Sequence, residues 1–184
     1  MSANTNGRTI RERAKTTGRV RLAVFDAEFE RVINDDPAQL LRMERQQRYR
    51  LRLDPWKQNK VVANTVAGFG NGLNILRDFL AGENPTPPTH IAWGTNGTAP
   101  ALTDTGLYAE QVRNEIVARS KGDKQVVIAG FMGTTTGNGF TYQEIALMTG
   151  LASAQPRILA RAAINGIAKT SSVIIVVNWE LTLA

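Results

Sequence analysis

The spacing of hydrophobic and polar positions changes once along this chain, near Thr89. Before that point, the most regular apolar pattern runs from about Asn59 to Ala81, where apolar residues recur at alternating intervals of four and three. This spacing places them on one side of a helix, so it predicts an amphipathic α-helix that ends at Gly82. The apolar positions of this helix are Val62, Val66, Phe69, Leu73, Leu76 and Leu80.

This apolar stripe has two interpretations. Its spacing fits a coiled coil that forms trimers, and it fits equally an amphipathic helix packed on the sheet of its own chain. Three glycines lie within it, and each lowers helix stability by roughly 1 kcal/mol relative to alanine. The same stretch, GFGNG, is similar to a dinucleotide-binding loop. It does not follow a strand, so the context that such a loop requires is missing.

After Thr89 the apolar period becomes two, which predicts a series of short β-strands. The first, HIAWG, ends at the turn dipeptide Asn96-Gly97. Residues 107–120 fit neither period well, and we predict an extended strand with an irregular start. The runs KQVVIAGFMG and GFTYQEIALMTG flank Asn138-Gly139, which predicts a β-hairpin. Two further strands, PRILARAAIN and KTSSVIIVVNWELTLA, complete the series.

The last strand carries different side chains on its two faces. The face that begins at Val173 is apolar to its end, whereas the opposite face begins with Ile174 and Val176 and then becomes polar. This pattern predicts that one face lies in the core throughout and that the other is covered only at its start. The first face holds Val173, Ile175, Val177, Trp179, Leu181 and Leu183, and the polar part of the second holds Asn178, Glu180 and Thr182.

The basic charge of the chain lies mainly in its first 58 residues. They hold 13 Lys or Arg against 8 Asp or Glu, which leaves 9 against 8 for the other residues. Such a segment is typical of a solvated tail, of docking on an acidic protein surface, or of contact with nucleic acid. Few aromatic residues accompany the basic ones, so nucleic-acid binding is unlikely on composition. Asp36 and Pro37 predict the start of a short helix over residues 37–53.

These patterns predict an α+β fold that is mainly β. We divide the chain into a basic N-terminal arm over residues 1–58, extended with a short helix, and a second part over residues 59–184. The second part consists of the amphipathic helix and an antiparallel β-sandwich-like domain. On this division, deletion of residues 1–36 should leave a folded and soluble sheet domain, because order in the arm would need a partner.

Composition also limits the chemistry of this protein. The chain has no cysteine and one histidine, His90, so the sequence predicts no metal site, no cofactor site and no catalytic residues. Lys169-Thr170 resembles the end of a phosphate-binding loop, but alanine precedes it where glycine belongs. No apolar run is long enough to span a membrane, and the N-terminus has no signal-peptide pattern.

The order of several motifs resembles a known family. NKVVAN, an amphipathic helix, HIAWGTNGTAP, FTYQEIALMTG and ILARAAIN follow one another with the spacing of a β-rich module of tailed-bacteriophage virion proteins, found in tail fibre, collar and baseplate components. The resemblance covers about residues 59–184. The residues that correspond best are Leu107, Glu110, Arg113, Glu144, Ile145, Arg161, Lys169 and Thr170.

The resemblance implies a structural virion component that is no enzyme, made in a bacterial cytoplasm and located in the virion. Its partners would be other virion proteins, such as tail, portal or adaptor, and fibre subunits, and the chain would form a homo-oligomer such as a trimer. A nucleic-acid-associated basic protein and a head-decoration protein are the alternatives. The candidate assembly residues are Arg8, Arg11, Arg13, Arg19, Arg21, Phe25 and Phe29, together with the six apolar positions of the helix named above.

Charged residues on the predicted strands are candidates for structural pairs. We expect Arg113 to pair with Glu110 or Glu115, and Glu144 to pair with Arg161 or Lys169. Such cross-strand pairs contribute roughly 0.2 to 1 kcal/mol each and help to set the register of the strands.

Overall fold

The computed structural model describes residues 17–45, 72–83, 87–101, 103–149 and 157–182. Its strands are β1 (Thr17–Asp26), β2 (His90–Gly94), β3 (Glu110–Glu115), β4 (Ala118–Gly122), β5 (Gln125–Met132), β6 (Thr141–Met148), β7 (Ile158–Ala168) and β8 (Val173–Thr182). Its helices are α1 (Phe29–Asp35) and α2 (Leu73–Leu80), with a 3₁₀ segment, Pro37–Arg45, that is kinked at Arg42.

The eight strands form two antiparallel sheets that pack as a β-sandwich. Sheet A has the order β1-β8-β5-β4 and sheet B has the order β3-β2-β6-β7. Alternate side chains of both sheets meet between them, including Trp93, Tyr142 and Trp179, which are almost fully buried. The Trp93 and Tyr142 rings pack edge to face at 6.0 Å between centroids. The predicted fold class, mainly β with a sandwich of antiparallel strands, is confirmed.

A second apolar cluster lies on the other face of sheet A. Ile174 and Val176 of β8 pack there against Phe25 and Phe29, whose ring centroids are 4.4 Å apart. The prediction for β8 is wrong for the end of this face, because Asn178 and Glu180 are also buried. At its start the face is apolar and covered, as predicted. The cover consists of α1 and the 3₁₀ segment. The members of the cluster are Ala23, Phe25, Phe29, Ile33, Leu40, Ala129, Ile174 and Val176.

Strand β1 belongs to the sandwich, although it lies within the segment that the sequence assigned to an arm. It pairs with β8 over ten residues, from Thr17 opposite Thr182 to Asp26 opposite Val173. Val20 and Leu22 point into the core between the sheets. The run VRLAVF is apolar on both faces because one face meets sheet B and the other meets α1. Residues 17–45 and the sheets are thus one folded body.

The described part of the segment after α1 is wound more tightly than the predicted α-helix. The Asp36 carboxylate accepts the Ala38 N–H at 3.0 Å, which caps the segment at the predicted place. It continues as a 3₁₀ helix that is kinked at Arg42. Leu40 is buried in the second apolar cluster and the residues before it are exposed, so few apolar side chains fix this segment to the sheet. The remainder of the predicted helix lies outside the described residues.

Helix α2 forms the end of the predicted helix over residues 59–81. It starts after Gly72, whose φ is 47°, and Val62, Val66 and Phe69 lie outside the described residues. Leu80 is 76% exposed, whereas Ile75 and Asp78 are buried. Helix α2 therefore packs on the described part of the chain through the face that includes Ile75 and Asp78, and Leu80 lies in solvent.

The predicted hairpin between β5 and β6 is wrong. β5 pairs with β4 and β8 in sheet A, whereas β6 pairs with β2 and β7 in sheet B. Residues 133–140 therefore cross from one sheet to the other, with φ of 68° at Gly137 and 87° at Gly139. Both strands carry apolar side chains for the same inter-sheet core, and that burial outweighs the local preference of Asn138-Gly139 for a two-residue turn. The extended segment 107–120 likewise divides into β3 of sheet B and β4 of sheet A.

Asp78 joins α2 to the start of β7 and makes the stability of the fold depend on pH. Its carboxylate accepts Arg157 Nη2 at 2.6 Å and Arg77 Nε at 2.8 Å. These two arginines, Arg157 first, lower the pKa of Asp78 below its ordinary value of 3.8.

A lowered pKa means that the unfolded chain binds the proton more readily. The stabilisation by ionised Asp78 is therefore complete above about pH 3.8 and is lost as the pH falls through the lower, folded-state pKa. We expect Asp78→Asn to reduce stability at pH 7 and to flatten the acid limb of the curve of unfolding free energy against pH. Urea unfolding over this pH range measures both effects. An acid limb of unchanged slope would show that Asp78 is not responsible.

Candidate functional site

The most unusual polar group of the sandwich is Arg161, a fully buried arginine in the middle of β7. Its neighbours in sequence, Ala160 and Ala162, point into the core between the sheets. Since side chains alternate along a strand, Arg161 points to the opposite, outer face of sheet B. A buried guanidinium costs several kcal/mol unless charged and hydrogen-bonded partners surround it.

Two carboxylates supply those partners. Glu144 Oε2, on the adjacent strand β6, accepts Arg161 Nε at 3.0 Å and Nη2 at 2.7 Å. Asp104 Oδ2 accepts Arg161 Nη1 at 2.9 Å, and the Thr98 carbonyl accepts Nη2 at 2.9 Å. The structure thus brings Glu144 together with Arg161, which is one of the two pairings that the sequence left open. We call Arg161, Glu144, Asp104 and Tyr108 the charge cluster.

The charge cluster also holds the backbone of residues 95–101 and 103–109, which lies over the outer face of sheet B. Glu144 Oε1 accepts the Ala109 N–H at 2.8 Å and Glu144 Oε2 accepts the Tyr108 N–H at 3.2 Å. Asp104 Oδ2 accepts the Ala101 N–H at 2.8 Å. Both carboxylates therefore bind the arginine and the loop at once, which satisfies their oxygens and fixes the loop to the sheet.

Tyr108 is the part of the charge cluster that reaches solvent. Its ring lies over the Arg161 guanidinium, 4.5 Å from the Arg161 Cζ to the ring centroid, which is a cation–π arrangement. Its hydroxyl donates to Asp104 Oδ1 at 3.0 Å, and this hydrogen bond to a carboxylate raises the pKa of Tyr108. The side chain is nevertheless 56% exposed. The cluster thus presents an oriented aromatic ring on the surface.

Gly94 at the end of β2 makes room for Glu144. A side chain at this position would collide with the Glu144 carboxylate and would lie 2.8 Å from the Ala109 carbonyl oxygen. The pairing of β2 with β3 shifts at the same point, since Trp93 lies opposite Val112 but Gly94 lies opposite Glu110. The extra residue in β3, Gln111, is a β-bulge.

This bulge explains the second charge pair. Residues three apart on a regular strand lie on opposite faces, but the bulged residue between Glu110 and Arg113 returns both to one side. Arg113 Nη2 donates to Glu110 Oε2 at 2.8 Å, and Arg113 Nε contacts Glu110 Oε1. Of the two glutamates that the sequence left open, Glu110 forms an ion pair with Arg113.

Lys169 lies away from the charge cluster. Its ammonium donates to Asn138 Oδ1 and to the Thr170 carbonyl, each at 2.8 Å. Glu144 therefore pairs with Arg161 and not with Lys169. His90, at the start of β2, has its Nδ1 2.8 Å from the Thr89 hydroxyl and is nearly buried.

The candidate assembly residues have several locations. Phe25 and Phe29 are fully buried in the second apolar cluster, because α1 folds back on sheet A, so neither offers an exposed surface. Arg21 Nε pairs with Glu180 Oε1 at 2.8 Å, and Arg19 lies opposite Glu180 in the ladder. Arg8, Arg11 and Arg13 lie outside the described residues.

Sequence reasoning did not find Asp104 and Tyr108. Asp104 lies in a stretch, TAPALTDTG, whose composition indicates only turns, and Tyr108 precedes a segment of mixed period. Nothing in their spacing relates them to Arg161, which lies 57 positions after Asp104. A long-range pair of this kind requires the folded sheet.

The arrangement of the charge cluster is suited to fixing the neighbouring loop backbone to sheet B. In the described ranges, the oxygens of Glu144 and Asp104 accept hydrogen bonds from the chain itself, and no group of three or more His, Asp or Glu residues could hold a metal ion. None of the helices in that part of the chain is long and apolar enough to cross a membrane.

Comparison of the chain with protein-family models, with curated proteins and with solved structures gives no match.

Proposed function

We propose that this protein is a structural component of a tailed-phage virion, a tail, collar or fibre-attachment protein that assembles with copies of itself and with other virion proteins. The family resemblance of residues 59–184 points to this function. The charged residues that carry the resemblance lie in structural contacts, with Glu144 and Arg161 fully buried. A rigid body with a surface loop fixed by buried charges suits an assembly subunit.

The observation that carries the proposal is the position of β1. It is an edge strand of sheet A, it pairs with β8 over ten residues without a shift in register, and the basic residues 1–16 lead directly into it. An edge strand presents unpaired backbone groups to which another chain can add a strand. The basic segment would then lie against the partner, where its arginines can pair with acidic side chains.

The hydrogen-bond ladder between β1 and β8 shows which backbone groups of β1 point away from β8, toward the position of an added strand. The Ala27 N–H donates to the Ser172 carbonyl at 3.2 Å, in the same register as the rest of the β1 and β8 pair. Because alternate residues of an antiparallel strand bond to the same neighbour, Phe25 and Ala23 bond to β8, and Val24 and Leu22 direct their backbone groups outward.

This geometry gives a direct test. Val24→Pro removes one outward N–H and leaves the ladder to β8 intact, whereas Val24→Thr keeps the N–H and the strand preference. We expect the full chain to form an oligomer at micromolar concentration, Val24→Pro to reduce it to a monomer, and Val24→Thr to retain it. Light scattering measures the mass, and circular dichroism checks that each variant is folded.

Two results would contradict the proposal. One is a folded wild-type chain that stays monomeric and binds no virion component. The other is tight binding of duplex or single-stranded nucleic acid at about 0.15 M salt, which would favour the nucleic-acid alternative, since weak electrostatic binding disappears under those conditions.

A further inference from the structure

Lys169 is a buried lysine without a carboxylate ion pair in the described part of the chain. It lies between β7 and β8 and is 1% exposed. Its two hydrogen-bond acceptors, Asn138 Oδ1 and the Thr170 carbonyl, are both neutral. An ammonium in such a place is costly, and an external substrate cannot reach it. Any chemistry of Lys169 must therefore involve its own neighbours.

Asn138 is held against Lys169 by more than the side-chain contact. The Gly139 N–H donates to the Lys169 carbonyl and the Lys169 N–H donates to the Phe140 carbonyl, each at 2.9 Å. These two bonds fix the crossing between β5 and β6 to the connection between β7 and β8. Asn138 Nδ2 also donates to the Thr134 carbonyl at 2.8 Å. The amide and the amine are thus both oriented, and this gives an intramolecular reaction a high effective concentration.

Glu30 of α1 approaches the same place from another element. Glu30 Oε2 accepts the Thr134 N–H at 3.0 Å, so Thr134 binds Glu30 through its N–H and Asn138 through its carbonyl. A side chain at Gly133 would collide with the Glu30 carboxylate, so the glycine permits this approach. Burial lowers the pKa of Lys169, and the charge of Glu30 opposes that shift. The lowered pKa favours the neutral amine, which is the nucleophilic form.

We propose that Lys169 and Asn138 join through an intramolecular isopeptide bond, with Glu30 as the group that transfers the proton. In this reaction, Glu30 accepts a proton from the Lys169 ammonium and the neutral Nζ attacks Cγ of Asn138. The new bond joins Nζ to Cγ, and the bond from Cγ to Nδ2 breaks. Nδ2 receives that proton from Glu30 and leaves as ammonia. The Glu30 carboxylate then accepts the second proton of Nζ and passes it to the departing ammonia, which leaves as ammonium.

The surroundings suit this reaction. It needs no oxidant and no further reactant, and Asn138 is exposed, so ammonia can leave to solvent. Rotation about the Cβ–Cγ bond of Asn138 leaves Cγ in place and turns the face of its carbonyl group toward the amine. The product would connect the two crossings at one end of the sandwich by a covalent bond. This inference rests on the geometry of Lys169 and does not depend on the proposed function.

Intact-mass spectrometry of the full chain tests the bond. We expect the folded protein, after incubation for a day at neutral pH, to be lighter than its sequence by the mass of one ammonia molecule. Trypsin should then fail to cleave after Lys169, so peptide 125–157 should remain joined to peptide 162–184. A protein at full sequence mass that trypsin cleaves after Lys169 overturns the proposal, and so does a mass increase from hydrolysis of the amide.

Four variants and one control, Lys121→Arg, separate the roles of the three residues. Asn138→Ala and Lys169→Arg should have the full mass of their sequences, and Lys121→Arg, on the exposed strand β4, should still lose ammonia. Asn138→Asp should lose one water molecule, because a carboxyl group replaces the amide. Glu30→Gln should fold and keep its full mass. Ammonia loss in folded Glu30→Gln at the wild-type rate would remove Glu30 from the mechanism.

Thermal unfolding supplies a second readout. The bond would close a loop between residues 138 and 169, and a cross-link over such a loop raises the midpoint of a domain of this size by on the order of 10 °C. Asn138→Ala should therefore unfold well below the wild type, and Glu30→Gln, which also lacks the bond, should unfold below it by at least a similar margin. Equal midpoints for wild type and Asn138→Ala would contradict the cross-link.

Discussion

Deletion of residues 1–36 is expected to unfold the sandwich. The sequence suggested the opposite result, a folded sheet domain without its arm. In the structure these residues supply β1 and α1, and they bury Val20, Leu22, Phe25, Phe29 and Ile33. Burial of side chains of this size stabilises by roughly 1.5 to 3 kcal/mol each, and together this is about the whole stability of a typical domain.

The deletion also exposes what β1 and α1 cover. Strand β8 would become an edge strand along its whole length, and Ile174 and Val176 would face solvent. We therefore expect an aggregated or unfolded product. Circular dichroism and urea unfolding measure this directly.

A shorter deletion is the matched control. Removal of residues 1–16 takes away none of the described contacts, so this variant should unfold with the wild-type midpoint. If the variant without residues 1–36 also unfolds cooperatively at that midpoint, β1 and α1 contribute nothing to the stability of the sheets. The division predicted from the sequence, with residues 1–58 as a separate arm, would then be correct.

Arg161→Ala is expected to lower the unfolding free energy by about 3 to 5 kcal/mol. The change leaves Glu144 and Asp104 buried at the outer face of sheet B without their cation, and an unpaired buried charge is strongly destabilising. Residues 95–109 should loosen at the same time, because the carboxylates that bind their backbone would take up water. Urea unfolding measures the first effect, and limited proteolysis of this loop measures the second.

Two further variants test whether unpaired charge is the cause. Arg161→Met with Glu144→Gln removes the guanidinium and one carboxylate together, and it should recover part of the loss because fewer charges stay unpaired. Arg119→Ala, on the exposed strand β4, should change stability by no more than about 0.5 kcal/mol. If the double variant is less stable than Arg161→Ala, lost packing and not lost charge pairing determines the effect.

Several elements could be predicted from local patterns because local physics decides them. The alternation in VIIVVNWELTLA identified β8 and its apolar core face, and the cap at Asp36 appeared where an aspartate precedes a proline. The hairpin at Asn138-Gly139 failed for the converse reason. Its turn residues are favourable, but both flanking strands have apolar side chains for one core, and the chain satisfies them by crossing between sheets.

The candidate sites depend even more on the fold. The partners of Arg161 and Lys169 are distant in the sequence: Asp104 lies 57 positions before Arg161, and Asn138 lies 31 positions before Lys169. Spacing along a strand indicates which face a residue occupies, but not which loop will cover it. Arg161 and Glu144 were candidates for a charge pair, whereas nothing in the sequence related Tyr108 or Asp104 to Arg161, or Asn138 to Lys169.

By itself, the sequence determined the class of fold, the strands of its second half and the concentration of basic charge near its start, because composition and periodicity are local properties. Only the tertiary structure decided that β1 and α1 belong to the core, that β5 and β6 lie in different sheets, and that Lys169 meets Asn138. In each case distant segments of the chain bury apolar surface against one another. A local sequence pattern does not show which distant segments will meet.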